Sequence, residues 1–136
     1  MYRFFYSPES SSLYFSTARL PAERLFSGSR NVFVCGALQD PVKMSALLGA
    51  EPPFAPAVAT GFARSVDSIA GEEIPFMVLD RDDPHGVLTG VVWLDLTEGN
   101  LERIESLELD RGFRKRIRIE ARIGERRISA FTYVKR

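Results

Sequence analysis

The sequence predicts an α+β fold in which strands outnumber helices. Apolar or alternating runs typical of strands recur along most of the chain, whereas only two segments have clear helical spacing. Strands and helices do not alternate regularly, which argues against a parallel βα architecture. We therefore expect a mixed sheet or a barrel with attached helices. The length of 136 residues suits one domain of ordinary size.

A strand, a turn of small residues and a short helix are predicted between residues 31 and 49. Residues 32–35 form a continuous apolar run, which is typical of a strand buried on both faces. Gly36 and Ala37 leave the backbone nearly bare where that strand ends. Capping and first-turn signals then open a helix over residues 41–48. Because unpaired N–H groups at such a junction can hold a carboxylate or a phosphate, the turn is a candidate binding cradle.

The remainder of the chain is predicted to add four strands and one helix. The prolines of residues 52–56 are expected to force an irregular crossing, and residues 81–86 have the composition of a polar turn. The pattern also suggests a bend at Gly90. The predicted strands cover residues 74–79, 87–96, 113–123 and 128–134, and the helix runs from residue 97 or 100 to about 109.

Residues 1–30 differ in pattern and are predicted to be an N-terminal extension packed on a domain that spans residues 31–136. Aromatic segments at residues 2–6 and 14–17 are expected to form weak strands, and residues 21–26 one or two turns of helix. These aromatic side chains also leave open an interaction role, in which the extension recruits a partner or a second copy of the chain as a homodimer.

Charge and cysteine content exclude several classes of function. The 18 basic side chains equal the 18 acidic ones, so no overall attraction to nucleic acid or to a membrane is expected. No apolar run approaches the roughly 20 residues that span a bilayer, and a cytoplasmic location is expected. Cys35 is the single cysteine, which excludes an internal disulfide, and it is predicted to be a small buried hydrophobe. The acidic turn that holds His85 lacks calcium-loop spacing, so no metal site is predicted.

One glutamate of the second helix falls on its apolar face. At about 100° per residue from Leu101, Ile104 lies at about 300° and Glu108 at about 340°, between the two. An inward carboxylate loses hydration, which raises its pKa, and the negative end of the helix dipole acts in the same direction. Such a glutamate suits general acid–base catalysis near neutral pH. The alternative is that the helix ends early and Glu108 reaches water or pairs with Arg111 or Arg114.

Five blocks of the sequence occur in an order and spacing that carry a family resemblance. They are residues 32–49, 74–79, 90–96, 104–109 and 130–134. Together they resemble the gamma-glutamylcyclotransferase-like (AIG2-like) family from about residue 32 to residue 134. The resemblance implies a small mixed β-barrel with flanking helices and a pocket beside the glycine turn.

The resemblance also implies a role for each half of a site. In active members the turn reads Tyr-Gly-small-Leu and its backbone amides hold the γ-glutamyl portion of the substrate; here it stands as Cys35, Gly36, Ala37 and Leu38. The second family block places the catalytic acid/base on Glu108, which the helical-face argument selects independently. Tyr133 matches a family tyrosine on the last strand and is expected to bind substrate.

The activity implied is the release of 5-oxoproline from γ-glutamyl amino acids or amines. The α-amine of the substrate attacks its own γ-carbonyl, and Glu108 takes a proton from that amine and returns one to the leaving nitrogen. No metal or organic cofactor is needed, and the expected partner is a small γ-glutamyl or acidic metabolite.

Three positions depart from the family pattern. Cys35 replaces the motif tyrosine, Leu109 replaces the glycine after the glutamate, and Phe113 stands where a tyrosine is common. Two hydroxyls that orient a polar substrate are therefore absent. These departures support an alternative function, in which a non-catalytic module keeps the pocket and binds a small acidic metabolite.

Overall fold

The computed structural model describes residues 4–7, 12–15, 19–21, 30–110 and 114–135. Within these ranges there are ten strands, two α-helices and one 3₁₀ turn, Ala37–Gln39. The helices are α1 (Pro41–Leu48) and α2 (Glu98–Asp110). The strands are β1 (Phe4–Ser7), β2 (Ser12–Phe15), β3 (Arg19–Pro21), β4 (Val32–Val34), β5 (Phe54–Thr60), β6 (Phe62–Ile69), β7 (Glu72–Leu79), β8 (Val87–Trp93), β9 (Arg114–Ile123) and β10 (Arg126–Lys135).

Five strands close a small barrel in the order β4-β8-β5-β9-β10, and β10 pairs back onto β4. The closing pair is parallel, with Phe131 opposite Val32, whereas the other four pairs of the barrel are antiparallel. Strands β7 and β6 continue the sheet beyond β10. A mixed barrel with two flanking helices confirms the predicted fold class.

Two hydrophobic cores flank the barrel wall. The inner one contains Phe33 and Val92 together with small residues such as Ala121, so a narrow barrel can be filled. The outer one lies between the barrel and the two helices, where Trp93 and Ile104 are fully buried. Alternation along β4 and β8 places successive side chains in opposite cores, which is why residues 32–35 read as a continuous apolar run.

Gly90 allows the close approach of two barrel strands. A Cβ at this position would collide with the carbonyl oxygen of Val34 and lie 2.7 Å from the Phe33 ring. The glycine therefore serves the packing of β4 against β8. The strand that contains it ends at Trp93 rather than at residue 96.

The expected irregular crossing is found at residues 51–53, which have no regular secondary structure, and is wrong for residues 54–56, because Phe54–Thr60 is a regular strand. Pro56 is paired with Val91 of β8, and β5 pairs with β9 only further along, at Val58 and Ala59. A proline is tolerated where a strand has one neighbour, since its missing N–H is then not needed.

Strand β6 was not predicted. It forms a hairpin with β7 through Ala70 and Gly71, which both have positive φ, 52° and 82°. The side chains of β6 mix polar and apolar types without a clean alternation, so no strand signal stands out in the sequence.

The N-terminal strands form a three-stranded antiparallel sheet in the order β1-β2-β3. Strands β1 and β2 confirm the two strands predicted near the aromatic segments, and β3 was not predicted. The helical turns predicted for residues 21–26 lie outside the described residues, except for Pro21, which ends β3. The division at residue 30 and the interaction role of the extension stay predictions.

Candidate active site

The turn after β4, residues 35–38, is here called the amide turn. Its hydrogen bonds run from the N–H of Gln39 to the carbonyl of Gly36 and from the N–H of Asp40 to the carbonyl of Ala37, both 3.1 Å. Neither these bonds nor the other turn and loop backbone bonds of the described residues use the N–H groups at positions 36, 37 and 38, so these groups are expected as donors for a ligand. The Gly36 backbone passes close to Pro75, whose Cγ would lie 3.2 Å from a Cβ at position 36.

Helix α1 holds the amide turn in place. The Asp40 carboxylate accepts a 2.9 Å hydrogen bond from the N–H of Val42, and Gly49 ends the helix with a left-handed φ of 79°. The buried Trp93 indole donates a 3.0 Å hydrogen bond to the carbonyl of Leu38. The predicted strand, turn and helix are therefore confirmed as structural elements.

Helix α2 carries Glu108 to the same place. Thr97 accepts a 3.0 Å hydrogen bond from the N–H of Asn100 at the start of the helix, and Leu101 and Ile104 pack into the outer core. Glu108 lies on the same face and is 6% exposed, as the helical spacing predicts. The alternative of an early helix end is wrong.

The helix continues to Asp110, and the Glu108 side chain is buried. Of the two arginines considered as its partners, Arg111 and the side chain of Arg114 lie outside the described residues.

A small pocket joins the two elements. It is lined by Phe33, Val34, Cys35, Gly36, Ala37, Leu38, Met77, Glu108, Thr132 and Tyr133. All six residues predicted for the site are in this lining. The free volume is about 20 Å³, which is room for roughly one water-sized group. The structure thus brings the predicted residues together, and their roles stay predictions.

The pocket lies where β10 changes its neighbour. On one edge β10 pairs with β4 at Phe131 and then with β7 at Val134. Thr132 and Tyr133 fall between these two pairs, where no described strand is paired with this edge of β10. The Thr132 hydroxyl donates a 2.9 Å hydrogen bond to the carbonyl of Phe33 and closes the bottom of the gap. Such interruptions of strand pairing are common places for ligand sites.

Tyr133 supplies a buried hydroxyl at the pocket. The residue is 3% exposed, and no described residue is hydrogen bonded to its hydroxyl. Burial raises the pKa of Tyr133 well above its ordinary value, with the Glu105 and Glu108 charges adding to the rise and Arg116 opposing it. Because even an ordinary tyrosine is protonated near neutral pH, the hydroxyl is available as a donor.

The two walls of the pocket are tied together by Asn31, which the sequence analysis missed. Its buried side chain accepts a 2.9 Å hydrogen bond from the N–H of Asp95 and donates at 3.3 Å to the carbonyl of Ser129. Arg30 and Leu96 exchange two further bonds, of 2.9 Å and 2.8 Å. These contacts attach the start of β4 to the segment that leads into α2. The available signal was a lone polar residue directly before a buried strand.

Arg64 was also missed, because β6 was not predicted. Its guanidinium group donates a hydrogen bond to the carbonyl of Cys35, the first residue of the amide turn. Arg64 is exposed, and this bond places a positive charge beside the amide turn.

Other side chains considered from the sequence have structural or surface positions. Cys35 is buried, as predicted. Leu109 is 40% exposed, and Phe113 lies outside the described residues. The Asp80 carboxylate accepts hydrogen bonds from the N–H groups of Asp82 and Asp83 within the acidic turn, both 3.2 Å. Within the described ranges no group of three His, Cys, Asp or Glu side chains is placed to hold a metal ion.

Two arginines of β9 interact with neighbouring side chains on the same face of the sheet. Arg116 forms an ion pair with Glu105 at 3.3 Å, and Arg116 and Arg118 both lie over the Phe131 ring, 4.8 Å and 4.1 Å from its centre. In the described part of the chain, neither helix is long and apolar enough to cross a membrane.

The fold agrees with comparisons to known proteins. The family model described as "Gamma-glutamyl cyclotransferase, AIG2-like" matches residues 32–136. The chain belongs to this family. The resemblance drawn from the sequence blocks is therefore confirmed. No curated protein matches the chain.

Solved structures show the same fold. An Arabidopsis thaliana protein studied in solution has a TM-score of 0.66 and 25% identity, over 80% of this chain and 72% of its own. A structure titled "Gamma-glutamyl cyclotransferase" has a TM-score of 0.67 at 16% identity, over 79% and 66%. A yeast gamma-glutamyl cyclotransferase described as specific to glutathione has a TM-score of 0.60 at 16% identity, over 78% and 68%.

Proposed function

We propose that this protein is a cyclotransferase-type enzyme that releases 5-oxoproline from γ-glutamyl amino acids or amines. The observation that carries the proposal is the shared pocket, in which the buried Glu108 carboxylate and the amide turn line one space. Membership of the family supports this chemistry, and the relatives' names point the same way.

The reaction is an intramolecular acyl transfer. The α-amine nitrogen of the substrate forms a bond to its own γ-carbonyl carbon, and the bond from that carbon to the leaving nitrogen breaks. Glu108 accepts the proton that the attacking amine loses and delivers a proton to the leaving nitrogen. Because both reacting groups belong to one molecule, holding the correct rotamer supplies much of the acceleration.

The remaining polar groups of the pocket hold the substrate. The N–H groups at positions 36–38 are suited to a carboxylate or to the oxyanion that forms at the γ-carbon. The Tyr133 hydroxyl, which is protonated near neutral pH and has no hydrogen-bond partner among the described residues, donates to a second substrate oxygen. The three departures from the family pattern leave these groups in place, although Cys35 offers no hydroxyl of its own.

Substrate entry requires one wall of the pocket to move. The free volume of about 20 Å³ is far below the roughly 300 Å³ or more of ordinary small-molecule sites. Met77 forms one wall, and it lies on the β6–β7 hairpin, which joins β10 through the Val134–Met77 pair. An unbranched, flexible side chain on an outer hairpin is the wall that yields at least cost.

The direct test is product formation. The protein is incubated with a panel of γ-glutamyl amino acids and γ-glutamyl amines, and 5-oxoproline is measured. We expect 5-oxoproline from at least one compound and its loss in Glu108→Gln. Turnover that is unchanged in Glu108→Gln would overturn the mechanism.

A non-catalytic binding module is the second candidate. The replacement of the motif tyrosine by Cys35 and the narrow pocket favour it. This function predicts that a γ-glutamyl compound raises the melting temperature while no 5-oxoproline forms.

A further inference from the structure

We infer that Arg64 binds the carboxylate of the leaving group, so that the site prefers γ-glutamyl amino acids to γ-glutamyl amines; this inference rests on the proposed function. It assigns the choice of substrate to a residue of β6 that lies outside the family blocks. The contacts, charge and exposure of Arg64 carry the argument.

The position of Arg64 follows from the β6–β7 pairing. Arg64 lies directly opposite Met77, and directly opposed residues of an antiparallel pair project from the same face of the sheet. Met77 is buried and lines the pocket. The Arg64 side chain therefore starts beside the pocket wall, and its guanidinium group reaches the carbonyl of Cys35 at the amide turn.

The guanidinium group has donors to spare. It carries five N–H groups. In the described structure one nitrogen, Nη2, donates to the carbonyl of Cys35. No acidic side chain among the described residues forms an ion pair with Arg64. The bond to Cys35 orients the planar group, and the remaining N–H groups match the two oxygens of a carboxylate. The structure thus presents a positioned cation without a partner of opposite charge in the described residues.

The exposure of Arg64 decides which carboxylate it meets. Glu108 and the amide turn line the pocket, where the γ-glutamyl part must react, whereas Arg64 is exposed, lies outside that lining and is bonded to the carbonyl of the lining residue Cys35. In the inferred arrangement, the leaving group extends from the γ-carbon out of the pocket past Cys35 and comes within reach of this guanidinium group. An amino acid as leaving group carries a carboxylate there, and a simple amine does not.

The experiment compares γ-glutamyl-alanine with γ-glutamyl-ethylamine, which differ by a carboxylate on the leaving group. The readout is the ratio of their kcat/KM values in the unmodified protein, in Arg64→Met and in Arg64→Lys. We expect a preference for γ-glutamyl-alanine that falls by about 10-fold or more in Arg64→Met, through KM. Arg64→Lys retains part of the preference because it keeps the charge.

Arg81→Met is the matched control. Arg81 is an exposed arginine in the turn after β7 that, unlike Arg64, has no hydrogen bond to the amide turn among the described residues, and its substitution should leave the ratio unchanged. A ratio that is the same in Arg64→Met and in the unmodified protein overturns the inference. An equal loss of turnover for both compounds also overturns it, because Arg64 would then only hold the Cys35 carbonyl. If Arg64→Met fails to fold, Arg64→Lys is used instead. A reduced preference in Arg64→Lys supports the inference, and a preference equal to that of the unmodified protein overturns it.

Binding measurements separate this inference from the proposed function. Both compounds are titrated calorimetrically into Glu108→Gln and into Glu108→Gln with Arg64→Met. If the unmodified protein forms 5-oxoproline from no compound of the whole panel, the proposed enzyme is wrong. The role of Arg64 is then decided by affinity: tighter binding of γ-glutamyl-alanine that depends on Arg64 supports it, and equal affinity for the two compounds overturns it.

Discussion

The amide turn presents backbone groups to the pocket, whereas α2 and β10 present side chains, Glu108 and Tyr133. Backbone N–H groups are retained whatever residue occupies the position, except proline. Their arrangement depends on neighbours such as Trp93, which holds the Leu38 carbonyl. A carboxylate and a phenol are each lost in one substitution. A substitution at Cys35 therefore leaves the backbone donors in place, whereas a substitution at Glu108 removes the carboxylate itself.

The largest expected effect on turnover comes from a side chain that lines the pocket, Glu108. Glu108→Gln removes the group that accepts and returns the proton, so kcat should fall by about 10²- to 10⁴-fold in the 5-oxoproline assay. Glu102→Gln is the matched control, because Glu102 is exposed on the same helix and should keep its turnover. Similar losses in the two variants would mean that the helix charge matters rather than the position of Glu108.

The next largest effect is expected on stability, from loss of the Asn31 bonds that attach the start of β4 to the segment before α2. Asn31→Ala removes a fully buried side chain and leaves the N–H of Asp95 and the carbonyl of Ser129 without these bonds. The free energy of unfolding should fall by about 1–3 kcal/mol in chemical denaturation. Asn100→Ala, on the first turn of α2, should change it by less than about 0.5 kcal/mol. An unaltered midpoint in Asn31→Ala would show that the walls are held together by other contacts.

Removal of the Tyr133 hydroxyl should separate function from stability. Tyr133→Phe deletes a donor that no described residue uses, so kcat/KM should fall by up to about 10-fold while the free energy of unfolding stays equal or rises. Turnover and denaturation are measured on the same preparation. A destabilised Tyr133→Phe protein would show that the hydroxyl serves the fold.

The same tyrosine predicts a pH dependence. Because the pKa of Tyr133 is raised in the folded protein, the unfolded chain loses this proton first as pH rises. The contribution to stability is complete below the ordinary tyrosine pKa, about 10, and is lost as pH rises above it. Tyr133→Phe should therefore lose less stability than the unmodified protein between neutral and strongly alkaline pH. Parallel pH curves for the two proteins would contradict this assignment.

The smallest effect on turnover is expected from a side-chain substitution in the amide turn. Cys35→Ala keeps every N–H group of the amide turn, so kcat/KM should change by less than about 3-fold, while the lost packing of a buried side chain costs about 1 kcal/mol of stability. Turnover and thermal unfolding measure the two quantities. A large loss of turnover would show that the Cys35 side chain itself contacts the substrate.

Local patterns were readable where one short segment decides the outcome. The run before Gly36, the cap at Asp40 and the inward position of Glu108 each depend on spacing within a few turns or residues, and all three have the expected structure. The prediction at Pro56 was wrong because the sequence of β5 does not show how many strands pair with it at each position.

Arg64 and Asn31 escaped because their partners are distant in the chain. Arg64 reaches Cys35 across 29 positions, and Asn31 bonds to Asp95 across 64. A polar residue gives no sign of a partner so far away, since the side chain alone is compatible with exposure to water.

The sequence by itself determined the elements of the site and the face on which Glu108 lies, because hydrophobic spacing and capping act locally. Only the tertiary structure decided that these elements share a pocket. That decision depends on closure of the barrel by β10 on β4, seen in the bond from Thr132 to Phe33 across 99 positions. Burial of apolar surface favours such closure but does not specify the partner strand, so the gap beside Tyr133 and the contact of Arg64 with the amide turn arise only in the folded chain.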